Sequence, residues 1–339
     1  MKKLIQIILV VICFLVSCGE EKKKSSVIIP FNDIAKFTDS TYCGKVYSMA
    51  GKENKIYFSD FSNHRFICLN LEGDLIYSLD TKGRGPGEFN YPGYFEIKHD
   101  SIYLFDMGNH RINIYTISGN YKREFPVKNY SGSSRFAIDD DDRFYFSSAN
   151  SKEPVVVTDR HGNKLFSFGQ PIKRYRDTQF QLNHNSERHL MYDEINARII
   201  AVSKTTPIVE IYSLQGKLLK ENDLSKDVLL KEYDDFVSSD YKNLPNNASK
   251  LYFASVRIEN NEIQLLLNDL SKDDGRGAVN RLLSLSLDKQ PNLIERFVLD
   301  PAETDEMIWV TDLVMLEDKI IASDGLNQKI LFYKVTNKK

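Results

Sequence analysis

The sequence predicts an all-β chain folded as a six-bladed β-propeller with four-stranded blades, and three observations predict it. A signature recurs along the chain: a β-rich run, then Asp-x-x-Asn, then a basic and an apolar residue. A second signature is a glycine hairpin between two apolar runs, with glycines at 73, 119, 162 and 216 spaced by 46, 43 and 54 residues. Helical spacing of apolar residues is confined to one stretch near 226–241. A period of about 40–50 residues holding four short strands is the pattern of a propeller, in which each unit buries its faces only against its neighbours.

The chain opens on an address. Lys2 and Lys3 precede an apolar run, Leu4 to Val16, broken only by Gln6. The run is too short for a hydrocarbon core of ~30 Å but suits the apolar segment of a secretory signal. Leu15-Val16-Ser17-Cys18 then resembles a bacterial lipobox, which implies cleavage after residue 17 and a lipid on Cys18. Residues 1–17 are thus expected to be a lipoprotein signal peptide, 18–26 a flexible tether, and 27–339 the propeller. Glu20 and Glu21 behind the cysteine resemble a surface-export signal, although three lysines follow; the alternative is the periplasmic leaflet.

The units follow in order. Their second strands begin near Ile56, Ile102, Phe144, Ile199, Ile263 and Ile320. The repeat signature places Asp60, Asn63 and Arg65 in the first unit, and Asp106, Asn109 and Arg111 in the second. Asp324 and Asn327 stand with Lys329 in the last, and FYFSS-AN at 144–150 is a degenerate copy. The Asp suits a turn, where it accepts backbone N–H bonds, and the Arg suits a brace through charge-assisted bonds. Glycine beside Asn, Asp or Lys supplies the positive φ of tight hairpins. Two inserts lengthen the units, around 170–188 and 223–250. The second spaces Val228, Leu229, Tyr233, Phe236, Val237 and Tyr241 as a helix does, with Ser225 as its N-cap. The last unit has only three strands, 309–316, 319–324 and 329–335, while 27–32 is a spare strand. Pairing the two closes the ring and removes its open edges.

Asp-x-x-Asn-His-Arg after a β run, with a glycine-rich loop between units (79–97), resembles the NHL repeat and the six-bladed propeller lipoproteins of Bacteroidetes. The resemblance covers roughly residues 30–339 and is weakest in units four and five, where the Asp-x-x-Asn box is not seen. It implies architecture and an outer-membrane, lipid-anchored address more than chemistry.

Charge and motifs narrow the function. With 45 Lys+Arg against 47 Asp+Glu there is no basic footprint for nucleic acid. The GRGPGEF loop (83–89) lacks the phosphate-loop pattern and reads as an inter-blade link, although Arg84 and Glu88 are free to face a ligand. Asp139 to Asp142 lack the spacing of a calcium loop and read as a solvated turn. The His residues, among them His184 and His189, form no zinc pattern, and no nucleophile elbow occurs. Cys43 and Cys68 fall on strands separated by a third, too far apart for a disulfide, and are expected as buried free thiols.

The expectation is a monomeric, non-enzymatic envelope lipoprotein without a cofactor, binding a glycan, peptide or envelope protein. The alternative is a lactonase-like, metal-dependent hydrolase or lyase with Ca²⁺ in the central channel. In a propeller the second-to-third turns and the blade links share one face, here the elaborated face with both inserts and 301–306. Ligand contact is expected there, near Arg84, Glu88, His184 and Arg188. The opposite, plain face carries short hairpins and the start of strand 27–32, so it is expected to face the membrane.

Overall fold

The structure, a computed structural model, describes residues 27–30, 43–127, 130–150, 152–176, 178–272, 278–287, 292–299, 307–316 and 319–336. Cys18, the tether 18–26 and the loop 301–306 lie outside the described residues. Twenty-four strands form six four-stranded antiparallel sheets. Blade 1 is β2 to β5 (Val46–Leu79), blade 2 is β6 to β9 (Pro92–Pro126) and blade 3 is β10 to β13 (Ala137–Phe168). Blade 4 is β14 to β17 (Arg188–Asp223) and blade 5 is β18 to β21 (Ser255–Leu299). Blade 6 is β22 (Val310–Leu316), β23 (Lys319–Asp324) and β24 (Lys329–Thr336), completed by β1 (Val27–Pro30), with Val27 opposite Thr336. The N-terminal strand therefore closes the ring.

Each pair of adjacent blades encloses its own apolar core. Phe66 and Cys68 meet Phe95 and Leu104 between blades 1 and 2, and Met49 and Phe58 meet Val314 and Ile321 between blades 1 and 6. Middle strands covered on both faces read as unbroken apolar runs, as in Ile56-Tyr57-Phe58. Outer strands such as β9 and β17 begin with three or four exposed residues. Cys43 and Cys68 belong to different inter-blade cores and are free thiols; burial pushes both thiols up, Cys68 to about 11.

The hairpin glycines answer two demands at once. Gly119 and Gly216 have φ of 88° and 82°. Each also backs onto the preceding blade, where a Cβ at Gly216 would lie 2.6 Å from Phe168.

The inserts correct the expectation of a single helix. Among the described residues there are two, α1 (Gln179–Ser186) in the first insert and α2 (Lys231–Asp240) in the second. Helix α1 buries Gln181, Asn185 and Ser186, so it shows no apolar stripe; Thr178 caps it. Helix α2 starts later than expected: Asp223, not Ser225, caps a short 3₁₀ turn at Leu224–Lys226, and Val228 is exposed. The two inserts pack together over blades 4 and 5. Tyr175 stacks on Tyr241 at 4.7 Å, and Arg174 pairs with Asp234 at 2.8 Å.

Candidate functional site

The repeat residues are turn braces. The Asp60 carboxylate accepts from the N–H of Gly44 and Asn63, from Asn63 Nδ2 at 2.9 Å and from Arg65 Nη2 at 2.8 Å. Asp106 does the same for Asn90, Asn109 and Arg111, and Asp324 for Trp309 and Asn327. The Asp thus staples each second-to-third turn to the chain entering its own blade. A fourth copy exists in blade 4, where the sequence reading saw none. Asp193 accepts from Asn196 and Arg198 in the same pattern, with Ala197 at φ 47°. It sits in the first hairpin of the blade, on the plain face.

The acidic run is also a brace. Asp139 is buried and accepts from Arg143 Nε at 2.7 Å and the Tyr145 hydroxyl at 2.8 Å. No three His, Cys, Asp or Glu side chains converge as metal ligands among the described residues.

The four expected ligand contacts are not brought together. Arg188 has no exposed surface; it pairs with Glu210 at 2.5 Å and donates to the carbonyls of Ser186 and Gln170. That corrects its expected role: it braces blade 4. Glu88 turns into its own loop and accepts the Gly85 N–H at 2.7 Å. A Cβ at Gly83 would lie 1.9 Å from that carboxylate, and one at Gly85 3.1 Å from it, so the loop packs closely around Glu88. Arg84 is exposed at the rim, where its carbonyl accepts from Arg111. His184 sits in α1, 3.8 Å from Glu187, and lines neither of the cavities at the axis.

The innermost strands β2, β6, β10, β14, β18 and β22 touch one another around the axis. Side chains reach across the axis between them. Arg135 of blade 3 reaches across to Asp312 of blade 6, with Nη2 to Oδ2 at 2.9 Å. Blades 3 and 6 are opposite each other in a ring of six, so this pair spans the bore. Asp312 also accepts from Arg257 Nη2 at 2.5 Å, the Met49 N–H at 2.7 Å, the Leu313 N–H and the Ser255 hydroxyl. Burial alone would raise the Asp312 pKa, but the two guanidiniums and these bonds hold it below the ordinary carboxylate value. Tyr94 lies under Arg135 at 5.1 Å and meets His189 edge-on at 5.4 Å.

This plug divides the bore into two vestibules. The plain-face one, about 520 Å³, is lined by Glu96, Glu259, Arg135, Arg257, Lys52 and Lys98 among apolar residues. Burial raises the Glu96 pKa to about 7, against the opposing pull of Arg135 at 3.7 Å; burial raises Glu259 as well. The elaborated-face one, about 420 Å³, has walls of Tyr47, Trp309, Leu251 and Leu326, with His189, Ser133, Lys204 and Lys45 as polar groups. Leu251 and Leu326 are each about half exposed. His189 is buried and its pKa lies well below 6.5, first from desolvation and then from Lys204 and Arg135. Sequence spacing could not reveal this site, because its residues come from inner strands and loops scattered between Lys45 and Leu326.

Among the described residues no helix is long and apolar enough to cross a membrane. No curated protein matches the chain. Solved structures do. A Bacteroides fragilis protein described as exported aligns with TM-score 0.59 and 13% identity over 96% of this chain and 98% of that one. A DUF4221-family protein of Bacteroides vulgatus aligns at 0.53 and 8%, over 94% and 100%. Virginiamycin B lyase of Staphylococcus aureus aligns at 0.52 and 11%, over 92% and 100%. At such identities the likeness is one of fold. A family model described as a 6-bladed beta-propeller matches residues 20–222, more than half of the sequence, and the chain belongs to that family, DUF5128.

Proposed function

We propose that this protein is a lipid-anchored envelope protein that captures a small ligand in the vestibule on its elaborated face. One observation carries the reading: the vestibule is a concave site of about 420 Å³ with half-exposed apolar walls, lined also by Tyr94, which lies against Arg135 of the pair that crosses the bore. Ligand pockets of this size are mostly apolar, with a few placed polar groups. With that pair across the bore, the site reads as a cup rather than a passage. Both inserts stand on the same face, and long segments on a rigid scaffold are where binding concentrates. The lipobox at Cys18 and the likeness to an exported Bacteroides protein support the address.

The test uses the only tryptophan of the chain, Trp309, which lines the cup. Small acids, amides and neutral oligosaccharides are titrated while its emission is followed. A saturable change with at least one class, lost in Leu251→Asp, is the expected result. No saturable change with any of them sinks the reading.

A further inference from the structure

The polar groups of the cup are unbalanced. Its lining contains two lysines and a histidine and no Asp or Glu. Glu187, which is not in the lining, accepts through Oε2 from Lys204 at 2.9 Å and from Ser131 at 3.1 Å. Thr311 is engaged with the Ser323 hydroxyl at 2.7 Å. The lining therefore offers donors and few acceptors.

One donor has no partner. His189 Nδ1 accepts the backbone N–H of Arg135 at 3.2 Å, so in the neutral ring Nε2 carries the proton. Nδ1 is committed to the preceding blade, His189 lines the cavity, and its Nε2 is buried without a hydrogen bond. A buried donor left unpaired is costly, which makes it a place for an acceptor from outside. Lys204 stands beside it. Its ammonium has three N–H groups, of which Glu187 and Ser133 take two. Lys45, exposed at the rim, lies 5.9 Å from the Tyr47 ring. Around these donors stand Tyr47, Tyr94, Trp309, Leu251 and Leu326.

Building on the proposal of a ligand cup, we infer that the ligand class is a monocarboxylate with a flat apolar body, its carboxylate accepting from His189 Nε2–H and Lys204 and its body lying along Trp309 and Leu251. A neutral sugar fits less well, because its hydroxyls need acceptors that the lining does not supply. A phosphate fits less well, because the cup presents no guanidinium fork or backbone nest and its wall is largely apolar.

The test uses the full chain, 4-phenylbutyrate as the probe and 4-phenylbutyramide as its neutral isostere, read by Trp309 emission. The acid is expected to bind at least about tenfold more tightly than the amide. Lys204→Met and His189→Phe are each expected to erase most of that preference while the amide affinity stays nearly constant. If His189→Phe does not fold, Lys204→Met decides alone. Equal affinity for acid and amide, or a response to neutral oligosaccharides only, overturns the carboxylate assignment and leaves the cup as a binding site. Silence of Trp309 toward all three classes overturns both.

Discussion

The two mouths of the bore are built from the same six strands and yet differ in kind. Where the inner strands begin, the lining is aromatic, aliphatic and donor-rich, with lysines and no acids. Where they end, acids and bases are mixed, and Glu96 and Glu259 face Arg135 and Arg257. In the plug between them Asp312 binds both guanidiniums, while Arg135 Nε is buried without a partner. The difference teaches that the scaffold dictates a bore but not its chemistry. One side was left with unmet donors, and the other was neutralised internally. The mouths also answer pH with opposite sign. His189 is held neutral, so acid below about 6.5 favours the unfolded chain, which binds that proton more readily. Glu96 titrates near 7 in the fold against 4.5 ordinarily, so between those values the fold holds the proton more tightly and stability falls as pH rises.

The largest expected effect lies in the plug. Asp312→Asn takes from Arg135 and Arg257 the carboxylate they share, leaving only the longer contacts to Glu96 and Glu259, and should cost about 3 kcal/mol. Urea denaturation at neutral pH measures it, and a loss under 1 kcal/mol would mean that the bore is not tied across its axis as described. Next is Glu96→Gln. The variant should remove the stability loss between pH 5 and 7.5, a gain on the order of 1 kcal/mol at the upper end once screening by bore water is allowed for. Parallel melting profiles across that range would break the assignment of opposite signs. Leu251→Asp should leave stability within about 0.5 kcal/mol, because the residue is half exposed, while abolishing the Trp309 response. Retained binding in this variant would move the site away from the cup. The smallest effect concerns orientation. Nine residues of tether reach about 30 Å, so in anchored protein a thiol at Glu53→Cys, on the plain face, should label more slowly than one at Leu326→Cys. Equal rates would remove the orientation of the faces, and Cys18→Ala should equalise them by releasing the chain from the membrane.

Much of the scaffold was legible because its causes are local. The hairpins at Gly119 and Gly216 need positive φ, so the glycine period could be read directly. Asp60, Asn63 and Arg65 lie within six residues and bond to one another, so their spacing is their geometry. The same box at Asp193-Asn196-Arg198 was present in the sequence but occupied a different hairpin, outside the expected phase. Helix α1 was illegible because polar side chains bury it. Arg188 was misread because a charge in a loop-like segment suggests solvent, whereas here Glu210 and two carbonyls enclose it. The bore could not be read from spacing at all, since Arg135 and Asp312 are 177 residues apart. Its one trace is a charge inside an apolar inner-strand run, as in Val310-Thr311-Asp312-Leu313-Val314.

The pairing of β1 with β24 also sets an order in time. Strand β1 has to wait for β24, which is made about 300 residues later, because Val27 meets Thr336 and Pro30 meets Tyr333. Five blades can assemble from neighbours in the chain, but the sixth needs both termini, across the longest loop closure the molecule makes. A chain cut short before Lys329 would keep β1 without a partner and β23 as a bare edge, however well its other blades had formed. Closure of the ring thereby makes the integrity of blade 6 depend on β24 having been made.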